Sequence, residues 1–146
     1  MRKLYDFMLE TFYMPWGEYL GQYKSCGKEV QEDFQYSIYA DISLQLFAIT
    51  IISLSFYYLY LNNRFGRYYS NKSWFITMLI NCVIIALLTY LTARNILDRP
   101  VCDVSGYLLW ISTINFLFAI IGFIILSFVF RLFSSMGKHT PYLTTK

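Results

Sequence analysis

Three long stretches of this chain carry no charged residue: 42–63, 73–93 and 104–130. The last holds 27 residues between Asp103 and Arg131. At ~1.5 Å of rise per residue, a helix of that length reaches about 40 Å, roughly 10 Å beyond a bilayer's hydrocarbon core. The other two are each long enough to cross alone. The pattern predicts transmembrane helices over 41–61, 73–93 and 104–130. Tyr36 and Tyr39 stand before the first and Tyr57, Tyr58 and Tyr60 close it, two aromatic belts set about as far apart as a ~30 Å core requires.

Ahead of the spans the pattern changes. Lys3, Asp6 and Glu10 recur at helical spacing, while Leu4, Phe7, Met8, Phe12 and Tyr13 cover most of the remaining circumference. This predicts an amphipathic helix lying in the membrane interface or packed beneath the spans, assigned to 1–20 with Pro15 ending its regular part. Trp16 and Tyr19 then fall where amphipathic rings favour headgroup level. Residues 21–40 read as an extramembrane connector with turn material at Gly21 and Gly27. From Lys28 on it has good helix formers and can run straight into the first span. The expected fold is therefore an all-α integral membrane protein, a single membrane domain of three transmembrane helices preceded by an N-terminal amphipathic, interfacial helix and followed by a basic tail, 131–146.

Composition agrees with lipid as the solvent. Hydrophobic residues make up 57% of the chain and charged residues 14%, a balance that would leave a soluble protein of this size with an unmanageable apolar surface. The aromatic content of 21% carries only part of its usual weight, because an AT-rich coding sequence also enriches Phe, Tyr, Ile and Asn. Near the start, Asp6, Glu10 and Glu18 interrupt the apolar core a secretory signal would need, so the segment reads as retained.

Charge placement bears on orientation. The N-terminal segment and the second connector share one face and hold six Lys/Arg with all nine Asp/Glu; the loop after the first span and the tail hold six Lys/Arg and no acid. Close to the spans, Arg64, Arg67, Lys72, Arg131 and Lys138 stand against Lys24, Lys28, Arg94 and Arg99. The positive-inside rule then favours an outside N-terminus and a cytoplasmic C-terminus.

No ionisable group lies inside the predicted spans, Asp41 standing only where the first begins. The spans offer amides and hydroxyls: Gln45 and Thr50, Thr77 and Asn81, Ser112 and Asn115. Thr50, Asn81 and Asn115 all fall near the bilayer midplane by position and are able to meet; such groups most often act as interhelical glue worth ~1 kcal/mol a bond. Ser112, Asn115, Ala119 and Gly122 place small or hydrogen-bonding groups on one face of the third span, and Cys82, Ala86, Thr89 and Ala93 do so on the second, letting helices approach closely. Cys26 and Cys102 share one side of the membrane and are candidates for a disulfide, whereas Cys82 lies within the bilayer as a small hydrophobe. His139, the one histidine, has no ligand-type neighbour in sequence, and no metal or cofactor site is expected. Bases scattered beside spans follow from topology alone, so no nucleic-acid partner is expected.

The function expected from these features is that of a non-catalytic, small integral membrane subunit that anchors or scaffolds a larger membrane protein assembly. Its partners would be the lipid bilayer and other membrane subunits or further copies of itself. The alternative is a small oligomeric pore or membrane-permeabilising effector, with the amides turned inward.

Overall fold

The computed structural model describes residues 2–24, 26–61, 71–97 and 103–133, and they are helical with no strand among them. Among the described residues six α-helices follow in order: α1 (Arg2–Phe12), α2 (Trp16–Gln22), α3 (Gly27–Asp33), α4 (Tyr39–Ser55), α5 (Asn71–Ile96) and α6 (Ser105–Phe133). Helices α3 and α4 are parts of one long helix, Gly27–Tyr60, so that three helices are long and apolar enough to cross a membrane. The connector assigned to 21–40 is thus mostly helix and continues into the first long helix. Arg64, Arg67, Asp98, Cys102 and the tail with Lys138 and His139 lie outside the described residues, as does the side chain of Arg131.

The first long helix contains two π-helical segments, Phe34–Ile38 and Phe56–Leu61. They flank a regular α-helical stretch, Tyr39–Ser55. Phe34, Ile38, Ile42, Leu46, Thr50 and Leu54 are all buried and recur every four residues, a repeat that drifts by about 40° per step around an α-helix of 3.6 residues per turn. A π turn holds an extra residue and winds the stripe back toward the core. The Tyr39 N–H reaching the Phe34 carbonyl is one such bond.

Helix α5 runs antiparallel to α6, which runs alongside the first long helix. Near one end, the Trp74 Nε1–H donates to Ser127 Oγ at 3.0 Å, and Tyr58 Oη lies 2.6 Å from the same oxygen. Toward the other end, the Asn115 amide donates to Thr89 Oγ1 at 2.6 Å, and Gln45 and Thr92 pair between α4 and α5 at 2.9 Å. Between these levels Leu46, Cys82, Ile85 and Ala119 are buried together, and Thr50 and Asn81 are buried among the long helices as well.

The single helix expected over 1–20 is two. Pro15 interrupts the chain as its missing donor requires, but the residues beyond it form α2. Helix α1 does not rest beneath the bundle. Tyr13, just past its end, lies against Tyr107 and Trp110, and its Tyr5 against Phe118 and Asn115, so it runs antiparallel along the first turns of α6.

Candidate functional site

The densest chemistry lies where α1 and α2 dock on the long helices. Of the stripe Lys3, Asp6 and Glu10, only Asp6 is drawn in; the other two are exposed. Asp6 Oδ1 accepts from the Tyr39 hydroxyl at 2.9 Å and from the Trp16 Nε1–H at 3.2 Å, while Oδ2 lies 3.5 Å from Gln35 Nε2. One carboxylate therefore ties α1 to α2 and to the first long helix, and bonds to an ionised acceptor are about twice as strong as neutral ones. One residue earlier, Tyr5 is fully buried, stacks on Tyr39 at 5.1 Å, and donates its hydroxyl to Asn115 Oδ1 at 2.7 Å. Asn115 thus joins α1, α5 and α6.

Beside this lies an aromatic cluster centred on Tyr107. Trp16 stacks on it at 4.7 Å, Tyr13 and Tyr19 meet it edge-on at 4.8 and 4.9 Å, and its hydroxyl donates to the Met14 carbonyl at 3.0 Å. Gly106 makes room for the closest part of this contact, because a Cβ there would fall on the Tyr13 hydroxyl. At the start of α6, Asp103 Oδ1 accepts from the Ser105 hydroxyl and N–H at 2.6 and 3.0 Å. Those bonds hold its carboxyl below the ordinary value.

The residues singled out on the spans meet differently from the midplane cluster. Asn115 pairs with Tyr5 and Thr89 rather than with Thr50 or Asn81. The Thr50 hydroxyl donates to its own helix at the Leu46 carbonyl, 2.7 Å away, and Ser112 does the same at Leu108, 2.8 Å away. Asn81 is fully buried, with no hydrogen-bond partner for either Oδ1 or Nδ2. Ala119 packs inside the bundle, while half-buried Gly122 faces Leu46, whose Cδ2 would lie 3.9 Å from an added Cβ. On α5, Cys82, Thr89 and Ala93 are buried. Cys82 is a free thiol and Cys26 is disulfide-bonded; the partner expected for Cys26, Cys102, lies outside the described residues. Among the described residues no three His, Cys, Asp or Glu gather as a metal-binding group.

Burial pushes the Tyr5 and Tyr19 hydroxyls up to about 12, with Tyr23, Asp103 and Tyr13 adding to the effect at Tyr19. When α1 and α2 are released, both tyrosines regain the ordinary value of 10.0 and ionise more readily than when docked. The docked state therefore binds more protons at high pH, so its stability is complete below pH 10 and falls as pH rises toward 12. Trp16 emission in detergent-solubilised protein should red-shift across that window. Tyr19→Phe, which removes a buried hydroxyl that has no partner, should make the transition shallower at little cost at neutral pH. An emission spectrum unchanged up to pH 12 would refute this coupling.

Sequence reasoning missed Tyr5, Asp6, Gly106 and Tyr107 as joining residues. Comparisons of the chain with protein-family models, with characterised proteins and with solved structures find no match.

Proposed function

We propose that this chain is a non-catalytic integral membrane subunit that anchors or scaffolds a larger membrane protein assembly, with its N-terminus outside and its C-terminus in the cytoplasm. In this reading the three long helices span the bilayer, α2 lies toward headgroup level on the outer side, and α1 packs along the outer half of the spans as far as Asn115. The observation that carries the proposal is the division between inner and outer surfaces. Asn115, Thr89, Gln45, Thr92, Tyr58, Trp74 and Ser127 turn inward and are engaged with one another or with Tyr5. The outward surface is apolar, including Leu44, Ile52, Leu79, Leu109 and Ile125. Only 22–39% of the most apolar segment of each long helix is covered by the rest of the chain, so most of it is left for lipid and for protein neighbours.

A pore of several copies would need these inward polar groups to leave their partners and face a shared lumen. A scaffold needs only the outer surface. The excess length of α6 does not itself require a neighbour, since α1 and α2 already cover it. The small face is turned inward, with Ala119 buried in the bundle and Gly122 toward Leu46, so the surface left for a neighbour on α6 is the one that carries the exposed Ile121 and Ile125.

The test is purification from the native membrane in mild detergent. Wild-type protein should carry a co-purifying membrane protein, and the pair Ile121→Ala and Ile125→Ala, both at exposed positions, should lose it while still inserting and melting as the wild type does. In liposomes the purified chain should raise no conductance. A lone monomer with an elution profile unaltered by the Ile121→Ala and Ile125→Ala pair, or a robust conductance, would overturn the scaffold reading. A reporter after Lys146 should be cytoplasmic and one near Gly27 external, and the reverse result would invert the orientation.

A further inference from the structure

We propose that the Asn81 carboxamide, at the middle of the helical bundle, is a hydration site that holds one internal water molecule. Asn81 is 0% exposed, and neither Oδ1 nor Nδ2 has a protein partner. An amide offers two donors and a two-lone-pair acceptor, and burying such groups unpaired costs about 1–3 kcal/mol each. On its own helix the neighbouring inward residues are Met78, Cys82 and Ile85, and the facing residues of that cluster are Leu46, Ile49 and Ala119. None of these side chains satisfies an amide.

The surroundings supply what a water needs. Thr77 lies one turn before Asn81 on the same face of α5. Its hydrogen is engaged with the Ser73 carbonyl at 2.9 Å, which leaves the Thr77 oxygen free to accept. Thr50, fully buried on the first long helix one turn beyond Leu46, is in the same condition. A water that accepts from Asn81 Nδ2 and donates to Asn81 Oδ1 and to a threonine hydroxyl makes three bonds, the usual number for a buried water. The α6 side of this level carries little bulk. Ala119 packs against the Cys82 and Ile85 level and Phe123 against the Trp74 and Met78 level. Between them Gly122 presents no side chain, and a Cβ there would approach nothing closer than Leu46 Cδ2 at 3.9 Å. Water fits this donor set better than an ion does, because the stretches 42–63 and 73–93 that carry Thr50, Thr77 and Asn81 hold no charge to balance one.

The experiment is water-edited solid-state NMR on the full chain, uniformly labelled with 13C and 15N and reconstituted in lipid bilayers. The Asn81 side-chain signal is assigned by its loss in Asn81→Leu, or by sequential correlation in the wild type if that variant fails to fold. Polarisation from water should reach the Asn81 amide within milliseconds while the backbone amides of Ile84 and Ile85 stay dark. An Asn81 amide as dark as those neighbours, or one correlated to a protein carbonyl instead of water, would overturn the assignment.

Discussion

Asn115→Leu is expected to cost about 2–4 kcal/mol and to loosen α1 from the long helices. The buried Asn115 amide accepts from Tyr5 and donates to Thr89, and all three residues are 0% exposed. Removing it orphans two buried hydroxyls, where an unsatisfied group costs about 1–3 kcal/mol. The two do not suffer equally. Thr89 can turn to the carbonyl one turn back in its own helix, as Thr50, Thr77 and Ser112 already do. Tyr5 keeps only the neighbouring Ser43 hydroxyl. Adding Tyr5→Phe to Asn115→Leu should therefore recover about 1 kcal/mol or more, and the non-additivity of the double-mutant cycle measures the Tyr5–Asn115 bond. The measurements are thermal melts in detergent or bilayer and the rate of proteolysis at 13–15. A melt within about 0.5 kcal/mol of wild type, with unchanged proteolysis, would show that this bond does not hold α1 in place.

A loss on that scale exceeds the single interhelical hydrogen bond that the sequence suggests for Asn115. Position along a span tells how deep a polar residue lies, but not which way it faces or what reaches it. Tyr5 lies 110 residues away in sequence, on a helix whose periodicity fits a surface-lying element equally well. The three long helices themselves were legible, because a charge-free run of sufficient length has few other solutions. Their lateral contacts were not. A helix apolar on all sides leaves no amphipathic signal to mark its packed face. The same ambiguity hides the docking of α1 and α2. Trp16, Tyr19 and Tyr107 have the composition of a headgroup belt whether they face lipid or one another, and here they face one another. Asp6 was legible only as one of three polar positions on a helix. Its selection as the inward carboxylate depends on Tyr39, Trp16 and Gln35, which come from separate elements.

The largest effect is expected at the centre of that docking contact, from Tyr107→Ala. The ring is 1% exposed and touches the Trp16, Tyr13, Tyr19 and Phe34 rings, so one side chain joins the end of α1, α2, the first long helix and α6. Truncating a buried aromatic of this size costs about 3–5 kcal/mol. Tyr107→Phe keeps the ring contacts and loses only the bond to the Met14 carbonyl, so it should cost about 1 kcal/mol. The consequence of Tyr107→Ala should be local. The remaining contacts among the long helices, through Leu46, Cys82, Ile85 and Ala119 and through Tyr58, Trp74 and Ser127, do not involve Tyr107. Helices α1 and α2 should come away while the bundle persists: near-UV circular dichroism should fall, proteolysis within 13–24 should accelerate, and the far-UV helical signal should stay largely intact. A single cooperative collapse of all helices would show instead that α1 and α2 are part of the core on which the long helices depend.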